Sequence, residues 1–428
     1  MKYNPLPQEF YRKNRKKLIA TLEPESCAIL VSYDEMPRSG DQTHPFRQNP
    51  DLLYLCGIDQ AETTLIIAPH HPNPKYREAL FIKRSNEHIA VWYGHKLTQA
   101  QASEISGIKT ILFDDEFEAV KREVILNSKN IYLNISENKF TSPVISKEAA
   151  LVQNIKIEFP LHNYKRLAPT LKSLRVVKEN CELVQLKKAC EITASAFLQA
   201  VKQVKPQAYE YEIEAEIIHS IIKQGATGHS FAPIVASGSD SCILHYIEND
   251  KKMQDGDLLL LDFGAEYGNY AGDLTRTVPV NGAFSPRQKQ VYEACLRVYQ
   301  AAIPLFKPGM SIHKINDAVF KQMENELIGL GLFTEDEVLK QDPEKPLFKK
   351  YYMHNTSHFI GMDVHDVGER DWNFVPGMVL SCEPGIYIHE EGIGIRIETD
   401  VIVAEQPVDL FAGLPVTVSE IESLMKSV

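Results

Sequence analysis

Two glutamates lie in a segment that otherwise reads as buried β-sheet. Residues 382–400, CEPGIYIHEEGIGIRIETD, carry Glu383 and Glu398 among alternating isoleucines, together with Arg396. An ionised carboxylate in an apolar interior is strongly destabilising unless another charge neutralises it. Either Arg396 pairs with one of the two glutamates or a cation binds there, and the rest of the chain must supply the other partners.

An earlier segment follows the same plan with two aspartates. Residues 256–280, GDLLLLDFGAEYGNYAGDLTRTVPV, predict a strand, a turn around Gly268–Asn269 and a returning strand, with Asp262 on one strand and Asp273 on the other. Either hairpin alone is compatible with salt-bridged or turn-flanking acids. If the two hairpins converge, four carboxylates cannot all stay ionised without a cation, and their eight oxygens suit two divalent ions better than one.

A histidine-rich stretch lies between the two hairpins. Residues 351–370, YYMHNTSHFIGMDVHDVGER, place His354, His358 and His365 close together in an otherwise apolar, glycine-bearing segment. A lone histidine is more often a surface or core residue than a ligand, but three of the chain's 14 histidines in one segment favour a site. Imidazole suits borderline transition metals and carboxylate suits harder ions. Mostly carboxylates plus one histidine favour Mn²⁺, with Zn²⁺, Co²⁺ or Fe²⁺ as alternatives.

Composition and charge argue against several classes of protein. The net charge of −11 over 428 residues disfavours binding to nucleic acid or to an anionic membrane. The polar, basic N-terminal sequence lacks the apolar region of a signal peptide, and no apolar run reaches membrane-spanning length. Seven scattered cysteines without a CxxC pair are typical of a reduced protein, so we expect a cytoplasmic location.

The pattern of apolar residues changes along the chain. In the first part, short apolar runs such as SCAILVSY and TTLIIAP alternate with helical stretches, which predicts an α/β domain. A basic, proline-containing segment then indicates a domain junction at about 165–178. Ser285 followed by Pro286 predicts a helix start. The predicted helices are 8–21, 179–204, 210–224, 286–303 and 311–330.

The motifs together resemble a known family. HNTSHFIGMDVHDVG, EPGIYI, RIETD and the aspartate hairpin are similar to the pita-bread metallopeptidases, and within them to the Xaa-Pro aminopeptidases (aminopeptidase P) and prolidases. HPFRQNPDLLYLCGI and AVWYGHKLT resemble the N-terminal domain of that branch. The resemblance implies an α+β chain, with an N-terminal α/β creatinase-like domain over 1–170 and a catalytic pita-bread (creatinase/aminopeptidase) domain over 171–428.

The resemblance also implies a dinuclear metal centre. Asp273 and Glu398 would bridge two divalent ions, and Arg396 would orient a ligand carboxylate. This arrangement would explain why glutamates are buried in a predicted sheet. The five implied ligands are Asp262, Asp273, His358, Glu383 and Glu398.

The implied reaction is hydrolysis of the bond between an N-terminal residue and a penultimate proline, through a metal-activated water. Glu383 would carry the proton. His365 and His245 would donate hydrogen bonds to the substrate carbonyl or oxyanion, and His354 would line the proline pocket. Trp92 is either a core residue or, as in relatives, closes the active site of a neighbouring subunit. The first domain would limit substrate size and build a homodimer or homotetramer.

Two alternatives to the aminopeptidase remain at the sequence level. One is a prolidase, which is restricted to Xaa-Pro dipeptides. The other is a pita-bread protein that has lost its metals and become a binding module. The expected residue type at all five ligand positions disfavours the second alternative, and it disfavours creatinase for the same reason.

Overall fold

The computed structural model describes Tyr3, residues 5–137 and residues 145–426. These residues form two compact units, one comprising Pro5–Arg175 and the other formed mainly by Val176–Val428. Each unit combines helices and strands. Within the described residues, no helix is both long enough and apolar enough to cross a membrane.

The N-terminal unit is an α/β layer structure. Its helices are α1 (Gln8–Ile19), α2 (Pro50–Cys56), α3 (Glu87–Tyr93), α4 (Gln99–Ser106), α5 (Phe117–Leu126), α6 (Lys147–Glu158) and α7 (Ala168–Arg175). Its strands are β1 (Ser26–Val31), β2 (Pro37–Ser39), β3 (Gln42–Thr43), β4 (Thr64–Ile67), β5 (Glu78–Ile82), β6 (Thr110–Phe113), β7 (Asn130–Leu133) and β8 (Asn163–Arg166).

A mixed sheet with the order β6-β5-β4-β1-β7-β8 forms the centre of this unit. The β1–β4 and β4–β5 pairs are antiparallel, and the outer pairs on both sides are parallel. Apolar side chains of the strands pack with those of α5 and α6 in one buried cluster. Strands such as β1 and β4 are buried along their whole length, which explains their continuous apolar sequences.

The C-terminal unit contains the two predicted hairpins and the helices around them. Its helices are α8 (Asn180–Ala200), α9 (Glu210–Lys223), α10 (Pro286–Ala302), α11 (Ile312–Gly329), α12 (Glu335–Lys340) and α13 (Val418–Lys426). Its strands are β9 (Gly228–His229), β10 (Ile234–Ser237), β11 (Leu258–Phe263), β12 (Ala265–Tyr267), β13 (Tyr270–Ala271), β14 (Leu274–Pro279), β15 (Val379–Cys382), β16 (Gly385–Ile388), β17 (Ile393–Arg396), β18 (Thr399–Ile402) and β19 (Val408–Asp409).

Each predicted hairpin is divided into two paired segments by a short interruption. In the first hairpin β11 pairs with β14 and β12 pairs with β13, and in the second β15 pairs with β18 and β16 pairs with β17. Gly264 and Gly272 lie at the interruption of the first hairpin. A Cβ on Gly264 would lie 1.6 Å from the Gly272 carbonyl oxygen, so only glycine allows this approach.

Candidate metal centre

The interruptions in the hairpins hold three of the predicted ligands. Asp262 lies within β11 and faces Thr275 across the pair. Asp273 lies between β13 and β14, Glu383 between β15 and β16, and Glu398 between β17 and β18. The backbone N–H of a residue outside a paired strand is not used in the sheet. At the interruptions, the backbone N–H groups of Asp273, Glu383 and Glu398 can therefore donate hydrogen bonds to other parts of the chain.

The backbone N–H groups of Glu398 and Glu383 link the second hairpin to the first hairpin and to the histidine segment. The Glu398 N–H donates to the Thr275 carbonyl of the first hairpin at 3.1 Å. The Glu383 N–H donates to the Thr356 carbonyl of the histidine segment at 2.9 Å. Because these bonds start at the candidate ligands, the two hairpins and the histidine segment are joined where the acidic side chains converge.

Asp273, His358 and Glu398 form a group in which one ligand atom of each lies within 4.8 Å of the others. The His358 Nε2 atom is 3.5 Å from Asp273 Oδ2 and 3.6 Å from Glu383 Oε1. Its Nδ1 atom faces the Phe359 carbonyl at 3.2 Å, and a carbonyl can only accept. With the proton on Nδ1, the Nε2 lone pair points towards carboxylate oxygens, an arrangement that a cation stabilises.

The carboxylates are too crowded to remain ionised without a nearby positive charge. Burial raises the pKa of Asp273 well above its usual range, and the charges of Asp262, Asp400 and Glu383 raise it further. Burial also raises the pKa of Glu383 and of Glu398, to which neighbouring carboxylates contribute. A cation held between the carboxylates would relieve this mutual repulsion.

Two oxygen atoms of the predicted ligands have no hydrogen-bond partner among the described residues. These are Asp262 Oδ1 and Asp273 Oδ1, and both residues are buried. The second oxygen of Asp262 accepts from Arg396, and the Asp273 N–H donates to Asp400 Oδ2 at 3.1 Å. A buried carboxylate with one unpaired oxygen is suited to a metal ion, so the residues present fit divalent cations.

Arg396 is the centre of a buried hydrogen-bond chain beside this group. Its Nη2 donates to Asp262 Oδ2 at 2.5 Å, its Nε to Thr275 Oγ1 at 3.2 Å and its Nη1 to the Tyr387 hydroxyl at 2.9 Å. Tyr387 in turn lies 2.9 Å from His354 Nε2, and His354 Nδ1 faces the Asn355 carbonyl at 2.8 Å. Each nitrogen of the Arg396 guanidinium therefore donates to an acceptor, and both nitrogens of His354 are engaged.

Tyr387 is a site residue that sequence analysis missed. It lies in EPGIYI, one of the motifs that carry the family resemblance, but its isoleucine neighbours suggested an ordinary core strand. Burial raises the pKa of its hydroxyl, which stays protonated and can pass a hydrogen bond from Arg396 to His354. The sequence predicts the hairpin, but it does not predict the register that pairs Gly385 with Arg396 or the hydrogen bond from Arg396 to the Tyr387 hydroxyl.

The remaining predicted histidines lie around the same group. The His365 ring centroid is 4.5 Å from that of His358 in an edge-on arrangement. Desolvation lowers the pKa of His354 to about 3 and that of His365, although part of its ring is exposed, to about 4. The charge of His245 contributes to both shifts, which brings His245 to the same region. His354 and His365 are therefore neutral at pH 7.

Trp92 belongs to the N-terminal unit, where it lies on α3. Its side chain is 71% exposed, and its neighbours Val91 and Tyr93 are exposed as well. The alternative that Trp92 is a core residue is therefore wrong. An exposed run of three large apolar residues is typical of an interaction surface.

Known proteins share both the sequence motifs and this architecture. The family model described as "Metallopeptidase family M24" matches residues 184–405, and "Aminopeptidase P, N-terminal domain" matches residues 11–132. The Xaa-Pro aminopeptidase of Escherichia coli K12 is 34% identical over 98% of this chain and 97% of its own length. Human Xaa-Pro aminopeptidase 3 is 27% identical over 98% of this chain and 86% of its own length.

Solved structures agree with the sequence comparisons. A structure described as a putative aminopeptidase P from Bacillus anthracis superimposes with a TM-score of 0.92 at 33% identity, covering 99% of both chains. Zn-substituted E. coli aminopeptidase P in complex with product gives a TM-score of 0.88 at 32% identity, with the same coverage. The chain therefore belongs to metallopeptidase family M24, and within it to the aminopeptidase P group.

Proposed function

We propose that this metallopeptidase is an Xaa-Pro aminopeptidase, a hydrolase that releases an N-terminal residue when the next residue is proline. The observation that supports this most is the convergence of four carboxylates and His358 beside the Arg396–Tyr387–His354 chain. The Xaa-Pro aminopeptidase relatives match over nearly the whole chain, so the activity is proposed for both units together.

The site is suited to two divalent ions, with Mn²⁺ favoured by the carboxylate-rich donor set and Zn²⁺, Co²⁺ or Fe²⁺ as alternatives. The family resemblance implies Asp273 and Glu398 as the bridging ligands, and their close approach supports this proposal, because ligand atoms of both lie within 4.8 Å of each other and of His358. Divalent ions held there supply Lewis acidity, which polarises a substrate carbonyl and lowers the pKa of water. The proposed ligands are Asp262, Asp273, His358, Glu383 and Glu398.

Glu383 is the proposed proton carrier. It is the most accessible of the acidic residues in the site, with its side chain 19% exposed, whereas that of Asp273 is 6% exposed. Its Oε1 accepts from Ser381 Oγ at 3.3 Å, and Ser381 Oγ also accepts the His358 N–H. These contacts orient the carboxylate so that Glu383 can take a proton from water and return it to the proline nitrogen.

The histidines have separate proposed roles. His365 and His245 remain exposed, and an imidazole N–H can donate a hydrogen bond to a substrate carbonyl or oxyanion. Both nitrogens of His354 are committed to Tyr387 and Asn355, so His354 presents its ring face to the proline pocket.

The position of Arg396 favours an aminopeptidase over a prolidase. A dipeptidase needs a cation for the free carboxylate of its proline, but Arg396 is buried and already directed to three partners. Arg370 is exposed, and its guanidinium lies 3.2 Å from the Asn355 amide oxygen once that amide is oriented to accept from it. Arg370 is therefore the other nearby cation that a prolidase could use.

Parallel kinetics on Ala-Pro, Ala-Pro-Ala and a longer Ala-Pro peptide test this proposal, together with metal analysis of the purified chain. We expect kcat/KM for the tripeptide and the longer peptide to be at least comparable to that for the dipeptide, because Arg396 is not available to select a free carboxylate. Activity confined to Ala-Pro would favour prolidase, and Arg370→Ala would then abolish it.

The assembly and location of the protein are also proposals. The exposed run Val91–Trp92–Tyr93 supports a homodimer or homotetramer in which Trp92 contacts a neighbouring copy, and sedimentation of the purified chain measures this. All seven cysteines are free, which supports a reducing cytoplasmic location. The proposed partners are peptides with proline in second position, with no nucleic acid and no membrane.

A further inference from the structure

His245 lies on an irregular segment, residues 238–250, which is called the His245 loop below. The loop follows β10 and begins with a 3₁₀ turn over Gly238–Cys242. His245 itself is exposed, whereas Cys242 and Tyr246 on either side are buried in one apolar cluster with Tyr387. The loop therefore holds an exposed imidazole between two buried anchors that pack beside the metal centre.

A single carboxylate, that of Glu210, fastens both ends of this loop. Its Oε1 accepts from the Ser237 N–H at 2.7 Å and from the Ser237 hydroxyl at 2.6 Å, directly before the loop. Its Oε2 accepts from the Tyr246 hydroxyl, within the loop, at 2.8 Å. The same oxygen accepts from the N–H of Lys251, the first residue after the loop, at 2.9 Å. Glu210 is fully buried at the start of α9.

Two further contacts support the same loop. Asn249, which has a positive φ of 49°, donates to Glu214 Oε2 at 3.0 Å, and Glu214 is one helical turn after Glu210 on α9. On the opposite side the Gly394 N–H of β17 donates to Ser241 Oγ at 2.9 Å. The loop is thus fixed between α9 and the strand that carries Arg396.

We infer that Glu210 is a positioning residue for catalysis, which sets the place of His245 by joining the two ends of its loop. A buried carboxylate that receives four hydrogen bonds is a stiff anchor, because releasing any donor breaks a charge-assisted hydrogen bond in the protein interior. Reaction rates depend steeply on such placement, since a shift of about 1 Å in a catalytic group can cost 10²-fold. The inference rests on the proposed role of His245.

The test compares Glu210→Gln with Glu212→Gln on the same helix. Gln keeps the shape but replaces one acceptor oxygen by an NH₂ group, so one of the two ends of the loop loses its anchor. Glu212 is exposed, which makes it the matched control for loss of one negative charge. Each variant is measured for kcat and KM on Ala-Pro-Ala, for metal content and for amide hydrogen exchange of peptides covering the His245 loop.

We expect Glu210→Gln to keep its metal and to lose about 10-fold or more in kcat, less than the roughly 10²–10³ expected for His245→Ala. Exchange in the loop should be faster than in the control. The double variant Glu210→Gln/His245→Ala should be no slower than His245→Ala alone, because Glu210 acts through His245. Tyr246→Phe, which removes one donor, should show a smaller effect of the same kind and serves if Glu210→Gln does not fold.

Two results would overturn the inference, and they are distinguishable. If His245→Ala is slow but the two substitutions multiply in the double variant, Glu210 has only a general structural role. If His245→Ala has normal kcat, the proposed role of His245 is wrong and Glu210 has nothing to position. Neither result bears on the proposal that the chain is a metal-dependent Xaa-Pro aminopeptidase, which the peptide series and metal analysis test separately.

Discussion

At the scale of single residues, the candidate centre shows how one arginine can hold several hydrogen-bond acceptors in place. Arg396 is buried and donates to a carboxylate, a threonine hydroxyl and a tyrosine hydroxyl. It neutralises one carboxylate charge, whereas the site holds four carboxylates. The residual negative charge is the physical reason to expect cations, because a buried unpaired carboxylate is strongly destabilising.

Asp273 is the residue whose loss should affect the metals most. Asp273→Ala should remove at least one metal and nearly all activity while leaving the fold largely intact, since relief of carboxylate crowding offsets the lost ligand. Elemental analysis, turnover and circular dichroism of the variant check this. Asp371→Ala, a change at an exposed aspartate, is the control. Two metals per chain with normal turnover in Asp273→Ala would refute its role as a bridging ligand.

His358 and His365 should behave differently although their rings are in contact. His358→Ala should lose metal affinity, because its Nε2 faces the carboxylates. His365→Ala should keep its metal and turn over about 10²–10³ times more slowly, as expected for loss of a donor to developing charge. Metal titration of both variants measures the difference. Equal metal contents in the two variants would contradict this division of roles.

At the scale of secondary-structure elements, the site depends on close approach between β17 and the His245 loop. A Cβ on Gly394 would lie 2.1 Å from the Ser241 carbonyl oxygen. That oxygen belongs to the backbone, so it cannot move aside as the end of a flexible side chain could. The absence of a side chain at this position lets the two segments share a hydrogen bond.

Gly394→Ala should therefore separate β17 from the loop, lower stability by about 1–3 kcal/mol and reduce kcat. Gly329→Ala provides the control, because a Cβ there meets nothing within 4 Å and the residue ends α11. The midpoint of urea unfolding and kcat on Ala-Pro-Ala are the measurements. Equal stability of the two variants would mean that the contact is not tight in solution.

At the scale of the whole molecule, the N-terminal unit carries a buried acid of its own. Glu148, in the first turn of α6, is 2% exposed and accepts from Asn49 Nδ2 at 2.6 Å. Burial raises its pKa to about 7, and the charge of Asp51 adds to the shift. The folded chain then holds a proton that the unfolded chain releases above a pKa of about 4.5.

The stability of this unit should consequently fall as pH rises from about 4.5 to about 7 and then stay level, by up to about 3 kcal/mol. Glu148→Gln cannot release a proton, so it should flatten this part of the profile. Hydrogen exchange of β1 and α6 amides at pH 5 and pH 8, corrected for intrinsic rates, measures the effect, with Glu104→Gln as an exposed control. An unchanged slope in Glu148→Gln would show that other groups set it.

Much of the secondary structure could be predicted because its signals are local. Ser285 caps α10 by accepting from the Gln288 N–H, with Pro286 at the first helical position, as predicted. The turn at Gly268–Asn269 is also confirmed, since both residues have positive φ. The start and end of a helix depend on nearest neighbours along the chain, so the sequence contains the necessary information.

The sequence by itself determined the residue types of the candidate site and the pair of hairpins that carries most of them. Only the tertiary structure decided that the second hairpin is interrupted at Glu383 and Glu398, that Tyr387 joins Arg396 to His354, and that Glu210 joins the two ends of the His245 loop. These contacts join residues far apart in the chain. Their partners depend on strand register and loop closure, which no local pattern specifies.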